Sequence, residues 1–195
     1  MKNDLTEIVC VVDQSTSMRG LTDEVIDGIN TFVKEQQKLD GDANFTLILF
    51  DSYTSIVHNG INLNDVPKLD RDTYRPNGMT AMNDGIALGI NTIGAKLNAL
   101  DESERAGKVI FAIMTDGQEN ASNKFNSENI KDMINHQTDK YGWEFIFMAA
   151  NIDLNTAADA IGIRSKNRYS FDANARGVNM AYATMAKSTT QYRSS

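Results

Sequence analysis

The segment Asp13-Gln-Ser15-Thr16-Ser17 places a carboxylate and three hydroxyls directly after the apolar run TEIVCVV (6–12). Taken alone it reads as a turn, a helix cap, a nucleophile site or one edge of a metal site, since Asp and Ser lead the ranking of helix N-caps. Two other segments offer the same chemistry. Thr115-Asp116-Gly117 closes the apolar run KVIFAIMT (108–115), and Thr80 lies in PNGMTAMNDG (76–85). Across the three there are two carboxylates and several hydroxyls but no histidine and no thiol. Hard oxygen donors of this kind suit Mg²⁺, Mn²⁺ or Ca²⁺ rather than zinc. The i, i+2, i+4 spacing of Asp13, Ser15 and Ser17 lets a tight loop turn alternate side chains toward one ion. Neutral hydroxyls as direct ligands would leave much of the ion's charge uncancelled, so an open position would favour an anionic oxygen from another molecule.

These segments act together only if the fold gathers them. TEIVCVV is short, continuous and β-branched, as a buried strand is. LTDEVIDGINTFVKEQQKL (21–39) repeats apolar residues at Leu21, Val25, Ile29, Phe32 and Val33 with helical spacing, and Thr22 or Asp23 is placed near its start. NFTLILF (44–50) and TSIVHNG (54–60) flank a short DSY turn and read as a hairpin. The only prolines, Pro67 and Pro76, mark the main irregular segment. After it come a helix over 81–100, a strand over 108–115, a helix over 127–142, a strand over 143–151, a short helix over 155–163, a strand over 168–172 and a closing helix from 173 to about 192. Gly85, Gly89 and Gly94 inside the second helix each cost roughly 1 kcal/mol in propensity and suggest close packing on a sheet.

The order β-α-β-β-α-β-α-β-α-β-α predicts a single α/β domain over 1–195. Its expected core is a doubly wound, mostly parallel six-stranded sheet with one antiparallel edge strand and helices on both faces. Ligands of such sheets bind beyond the carboxyl ends of the strands, where strand order reverses. With the first strand central, the loops bearing Asp13, Thr80 and Asp116 meet at one crevice.

These three motifs, DQSTS, NGMTAMNDG and MTDGQEN, resemble those of von Willebrand factor type A domains, and the likeness runs from Thr6 through the tail helix. DVPKLDRDTYRPNGMTAMNDGI and VIFAIMTDGQEN are similar to small intracellular bacterial and phage members. The resemblance implies a Rossmann-like fold and a complete metal-ion-dependent adhesion site (MIDAS). In it Ser15, Ser17 and Thr80 would touch the metal, and Asp13 and Asp116 would act directly or through water. It further implies a non-enzymatic module that captures an acidic residue of a protein partner. Membership of a multi-protein complex is permitted, and a monomer is expected for the chain alone. Met79 departs from the family pattern, since a second glycine is frequent before the threonine.

The bland readings concern the remaining polar residues. Asp51 reads as a turn residue and Asp84 as a helix-start charge, with a supporting role at the metal as the alternative. Arg71, Tyr74 and Arg75 are expected to face solvent, with contact to a partner near the metal as the alternative, His58 and His136 to be structural or exposed, and Trp143, Met180 and Met185 to face the core. Two other functions compete. A metal-dependent hydrolase or phosphotransferase would use Asp13 or Ser15 as nucleophile. Phosphatases of the haloacid-dehalogenase type need a second aspartate where Ser15 stands, and no histidine is placed as a base for a serine. A metal-free scaffold with a vestigial motif is the third reading.

Net charge of −7 and the lack of a basic run disfavour nucleic acid as a partner. The single cysteine, Cys10, allows no internal disulfide and reads as a small core hydrophobe. A polar N-terminus without a signal peptide, and no run of about 20 apolar residues, predict a cytoplasmic protein without a membrane span.

Overall fold

The computed structural model describes residues 1–195, beginning with strand β1, Lys2–Asp13. There follow α1 (Thr22–Gln36), β2 (Asp42–Phe50), β3 (Thr54–Asn62), α2 (Met82–Asn98), β4 (Ala106–Thr115), α3 (Ser127–Tyr141), β5 (Glu144–Ala149), α4 (Leu154–Ala160), β6 (Arg168–Ser170) and α5 (Ala175–Arg193). The strands form one sheet in the order β3-β2-β1-β4-β5-β6. Only the β2–β3 hairpin is antiparallel, and β3 is an edge, as its short DSY connection requires. The doubly wound α/β architecture expected from the alternation is the one observed.

Alternation along β1 divides the core. Ile8, Cys10 and Val12 join Val25, Ile29 and Phe32 of α1 and Val178, Tyr182 and Met185 of α5. Val9 and Val11 join Ile86, Ile90 and Ile93 of α2, together with Ile130 of α3 and Ala158 of α4, on the other face. A strand buried on both faces has no polar side, so it reads as a continuous apolar run. No helix is long and apolar enough to cross a membrane.

Several local expectations need correction. β1 begins at Lys2 rather than Thr6: Lys2 pairs with Ala106 and its N–H donates to Arg105 O at 2.8 Å, a pairing that exposed polar side chains conceal. α1 ends at Gln36 and is entered through a 3₁₀ turn, Thr16–Leu21. Met185 is fully buried, but Met180 is 59% exposed, because residues five apart on a helix point about 140° apart. Gly85 packs against Phe50 and Gly89 against Phe111, whereas a Cβ on Gly94 would meet nothing within 4 Å. Trp143 is core, stacked on Phe111 with ring centroids 5.6 Å apart.

Candidate metal centre

Parallel register sets the carboxyl ends of the central strands side by side. Val12 of β1 lies opposite Met114 of β4, so Asp13 ends its strand beside Thr115. Asp13 is fully buried. One carboxylate oxygen, Oδ1, accepts the Ser15 N–H at 2.7 Å, and Oδ2 accepts the Thr115 hydroxyl at 2.6 Å. The first bond bends the chain sharply out of the strand, which turns Ser15 and Ser17 the same way. Ser17 Oγ donates to Asp116 Oδ1 at 2.5 Å, and Ser15 Oγ lies 3.0 Å from Ser17 Oγ. A hydroxyl has one proton. With that of Ser17 committed to Asp116, Ser15 is the donor to Ser17.

Thr80 reaches the same place from the Pro-containing loop. That loop is stitched to its neighbours by backbone bonds. Asn77 N–H donates to Gln14 O at 2.8 Å, Thr16 N–H to Gly78 O at 3.1 Å, and Ala81 N–H to Asp51 O at 2.7 Å. Gly78 holds a φ of +69°, in the left-handed region where glycine is favoured. Thr80 donates its N–H to Asn120 Oδ1 at 2.8 Å and accepts from the Asn120 and Ala121 N–H groups. Its hydroxyl would lie 3.7 Å from a Cβ on Gly117, which puts it against the Asp116–Gly117 turn. All five expected residues therefore meet at one rim of the sheet.

The helix-cap reading of the first segment does not hold. Ser15 precedes the 3₁₀ turn without a side-chain capping bond, and α2 is preceded by Ala81, not Thr80. Asp51 is a turn residue, accepting the Tyr53 N–H, and also accepts from Gln14 Nε2. Asp84 does more than charge a helix start: it accepts the N–H groups of Asn123, Lys124 and Phe125 and so holds the loop after Asp116. Arg71 and Arg75 face solvent in pairs with Asp23 and Asp72. Tyr74 does not: it is 1% exposed and its hydroxyl donates to Asp13 O at 2.7 Å.

Other contributors went unread in the sequence. The Glu119 carboxylate accepts from the N–H groups of Asn83, Ala121 and Ser122, coiling the segment that presents Asn120 to Thr80. Asn151 adopts a φ of +58° and donates its side-chain amide to Asp116 O at 3.3 Å. The run of amide and acidic residues after Asp116 was the available signal.

Burial pushes the carboxyls of Asp13 and Asp116 above the usual carboxylate range, against the lowering effect of their hydroxyl partners. The charge of Asp116 raises Asp13 further. None of the fold's ion pairs involves either one. The nearby Arg19 is spent on Pro76 O and Asn77 Oδ1. Two buried carboxylates with no basic partner form a site with an electrostatic need for a cation. No group of three or more His, Cys, Asp or Glu side chains gathers anywhere, so the donors on offer here are hydroxyls backed by two carboxylates. That set fits a hard divalent ion.

Residues 7–182 match the family model described as von Willebrand factor type A domain. The chain belongs to that family. No curated protein matches it in sequence. Among solved structures, a form of proximal thread matrix protein 1 from the mussel byssus, with zinc occupying its MIDAS motif, is 15% identical with a TM-score of 0.66. The match covers 97% of this chain and 47% of that one, so the chain spans about half the length of this relative. The pilus adhesin SpaC of Lactobacillus rhamnosus GG gives 17% and 0.68, over 98% of this chain and 30% of SpaC. The manganese-loaded TRAP protein of Plasmodium vivax gives 20% and 0.60, over 93% and 73%. At these identities the likeness shows a shared fold.

Proposed function

We propose that this type A domain is a non-enzymatic, metal-dependent protein-binding module, with residues 1–195 acting as one unit. Ser15, Ser17 and Thr80 would hold a divalent cation, with Asp13 and Asp116 ligating directly or through water. Mg²⁺ is the ion we favour, with Mn²⁺ or Ca²⁺ as substitutes. The bound ion supplies a Lewis-acidic position for one carboxylate oxygen of a protein partner. The observation that carries this reading is the hydroxyl ladder from Ser15 through Ser17 to Asp116, with the Thr80 hydroxyl beside it. The backbone N–H groups of Ser15 and Thr80 are held by Asp13 and Asn120, which positions the two side chains. The chain thereby pre-orients neutral donors and keeps its two negative charges behind them.

The relatives support the reading. One carries zinc in its MIDAS motif, another is manganese-loaded, and a third is an adhesin. Against a hydrolase, the Ser15 hydroxyl donates to Ser17 Oγ and no histidine stands beside it: His58 packs against Phe45 on the edge hairpin and His136 against Tyr141 on α3. We place the module in the cytoplasm, in keeping with the buried Cys10 that forms no disulfide, and in a bacterial or phage setting, as the sequence resemblance implies.

The test is affinity capture from lysate in Mg²⁺ buffer, eluting with chelator, on wild type and Asp13→Ala. Proteins released by chelator from wild type and absent from the variant are expected. Capture indifferent to chelator counts against the metal mechanism. Calorimetry with Mg²⁺ and Mn²⁺ showing no heat in either protein leaves only the metal-free scaffold.

A further inference from the structure

A second site lies at the opposite end of the sheet. There the last turns of α2 and α3 and the amino ends of β4 and β5 enclose a cavity of about 470 Å³. This is within the range of small-molecule pockets. Leu97, Val109 and Trp143 give it an apolar wall, and Phe111 stacks behind Trp143 to hold that ring in place. Arg105 and Lys140 also line it, against a single carboxylate, Glu102. The six ion pairs of the fold leave both cations out. Arg105 donates Nε–H to Leu100 O at 3.0 Å, which fixes its guanidinium plane, while Lys140 lies 5.1 Å from the Tyr141 ring. The lining thus carries two cations against one carboxylate, the reverse of the balance in a chain of net charge −7.

Gly94 adds an independent observation. A glycine inside a helix costs roughly 1 kcal/mol relative to alanine. Gly85 and Gly89 in the same helix meet Phe50 and Phe111, but nothing lies within 4 Å of where a Cβ on Gly94 would sit. Sheet packing therefore does not require this glycine. It lines both the cavity and the groove that continues between α2 and α3, so its missing side chain is open space in the cavity wall.

We propose that the cavity is a second ligand site, for a small organic anion with a flat apolar body, an aryl carboxylate in chemical class. The ring would lie along Leu97, Val109 and Trp143, and the carboxylate would face Arg105, whose planar fork suits it, and Lys140. Nothing in this assignment depends on the metal centre.

Trp143 is the only tryptophan and lines the cavity, so its emission can report binding there. The probe is phenylacetate, with benzyl alcohol and benzylamine as neutral and cationic controls. Phenylacetate is expected to change the emission saturably and more tightly than either control. Arg105→Gln should weaken it by about tenfold, equivalent to about 1.4 kcal/mol. Gly94→Leu should abolish the response and Asp13→Ala leave it unchanged. The melting curve of Gly94→Leu checks its fold, and the Arg105→Gln/Lys140→Gln pair decides if that variant does not fold. Phenylacetate binding no tighter than benzyl alcohol, or binding untouched by both cavity variants, overturns the proposal.

Discussion

Asp116→Asn separates the charge of the metal centre from its shape. The amide keeps an oxygen where Asp116 Oδ1 accepts the Ser17 hydroxyl, so the ladder can persist. What disappears is a carboxylate whose burial disfavours its charged form. In chelator the variant should therefore melt at or above the wild-type temperature, since the wild type carries that desolvated charge without a counter-ion. Added metal then distinguishes them. A ligand that binds only the folded state at about a hundred times its dissociation constant stabilises by about 2.7 kcal/mol. For a domain of this size each kcal/mol moves the midpoint by roughly 2–4 °C, so wild type should gain roughly 5–11 °C in saturating Mg²⁺. Asp116→Asn should gain almost nothing. Thermal unfolding by circular dichroism, with Mg²⁺ and with chelator, reads all four values. A variant that keeps most of the metal-induced gain refutes Asp116 as part of the cation's shell. One that melts far below wild type in chelator makes it a structural residue instead.

Replacing Asp84 with Ala frees three backbone N–H groups of residues 123–125. Their amide exchange should accelerate at least about tenfold and stability fall by roughly 1–3 kcal/mol, as loss of hydrogen bonds to a charged group predicts; unchanged protection would place the loop's anchor elsewhere. Gly28→Ala drives a Cβ into the Tyr182 ring, where α1 crosses α5. The overpacking strain of about 1–3 kcal/mol outweighs the roughly 1 kcal/mol gained in helix propensity, so the urea midpoint should drop. The Cys10 thiol is fully buried and pushed up to about 12, so native protein at pH 8 should resist a thiol reagent and react only as fast as it unfolds. Rapid stoichiometric labelling without denaturant would contradict that burial.

Nearly all the strands and helices were legible because their signals are local. TEIVCVV and KVIFAIMT are continuous β-branched runs, and Leu21, Val25, Ile29 and Phe32 share one helical stripe. The polar start of β1 was not, because Lys2 is held by its pairing with Ala106, about 100 residues away, not by any apolar pattern. The position of Tyr74 was hidden for the same reason. Its loop is rich in Asp and Arg and looks solvated, yet its ring is buried in the core and its hydroxyl reaches Asp13 O.

The sequence by itself determined which atoms are on offer: oxygen donors at the ends of two apolar runs and on one loop between them, with no histidine or thiol to compete. It also determined the alternation that makes a parallel sheet the only economical way to bury those runs. The tertiary structure alone decided how the donors are aimed. Thr115 turns its hydroxyl onto Asp13, Asn120 fixes Thr80, and Glu119 and Asp84 coil the loop between them. It also decided that Gly94 borders a cavity while Gly89 packs on Phe111. Hydrophobic periodicity records which face of an element is buried. Hydrogen-bond partners and cavities depend on which distant elements become neighbours, and no spacing along the chain carries that information.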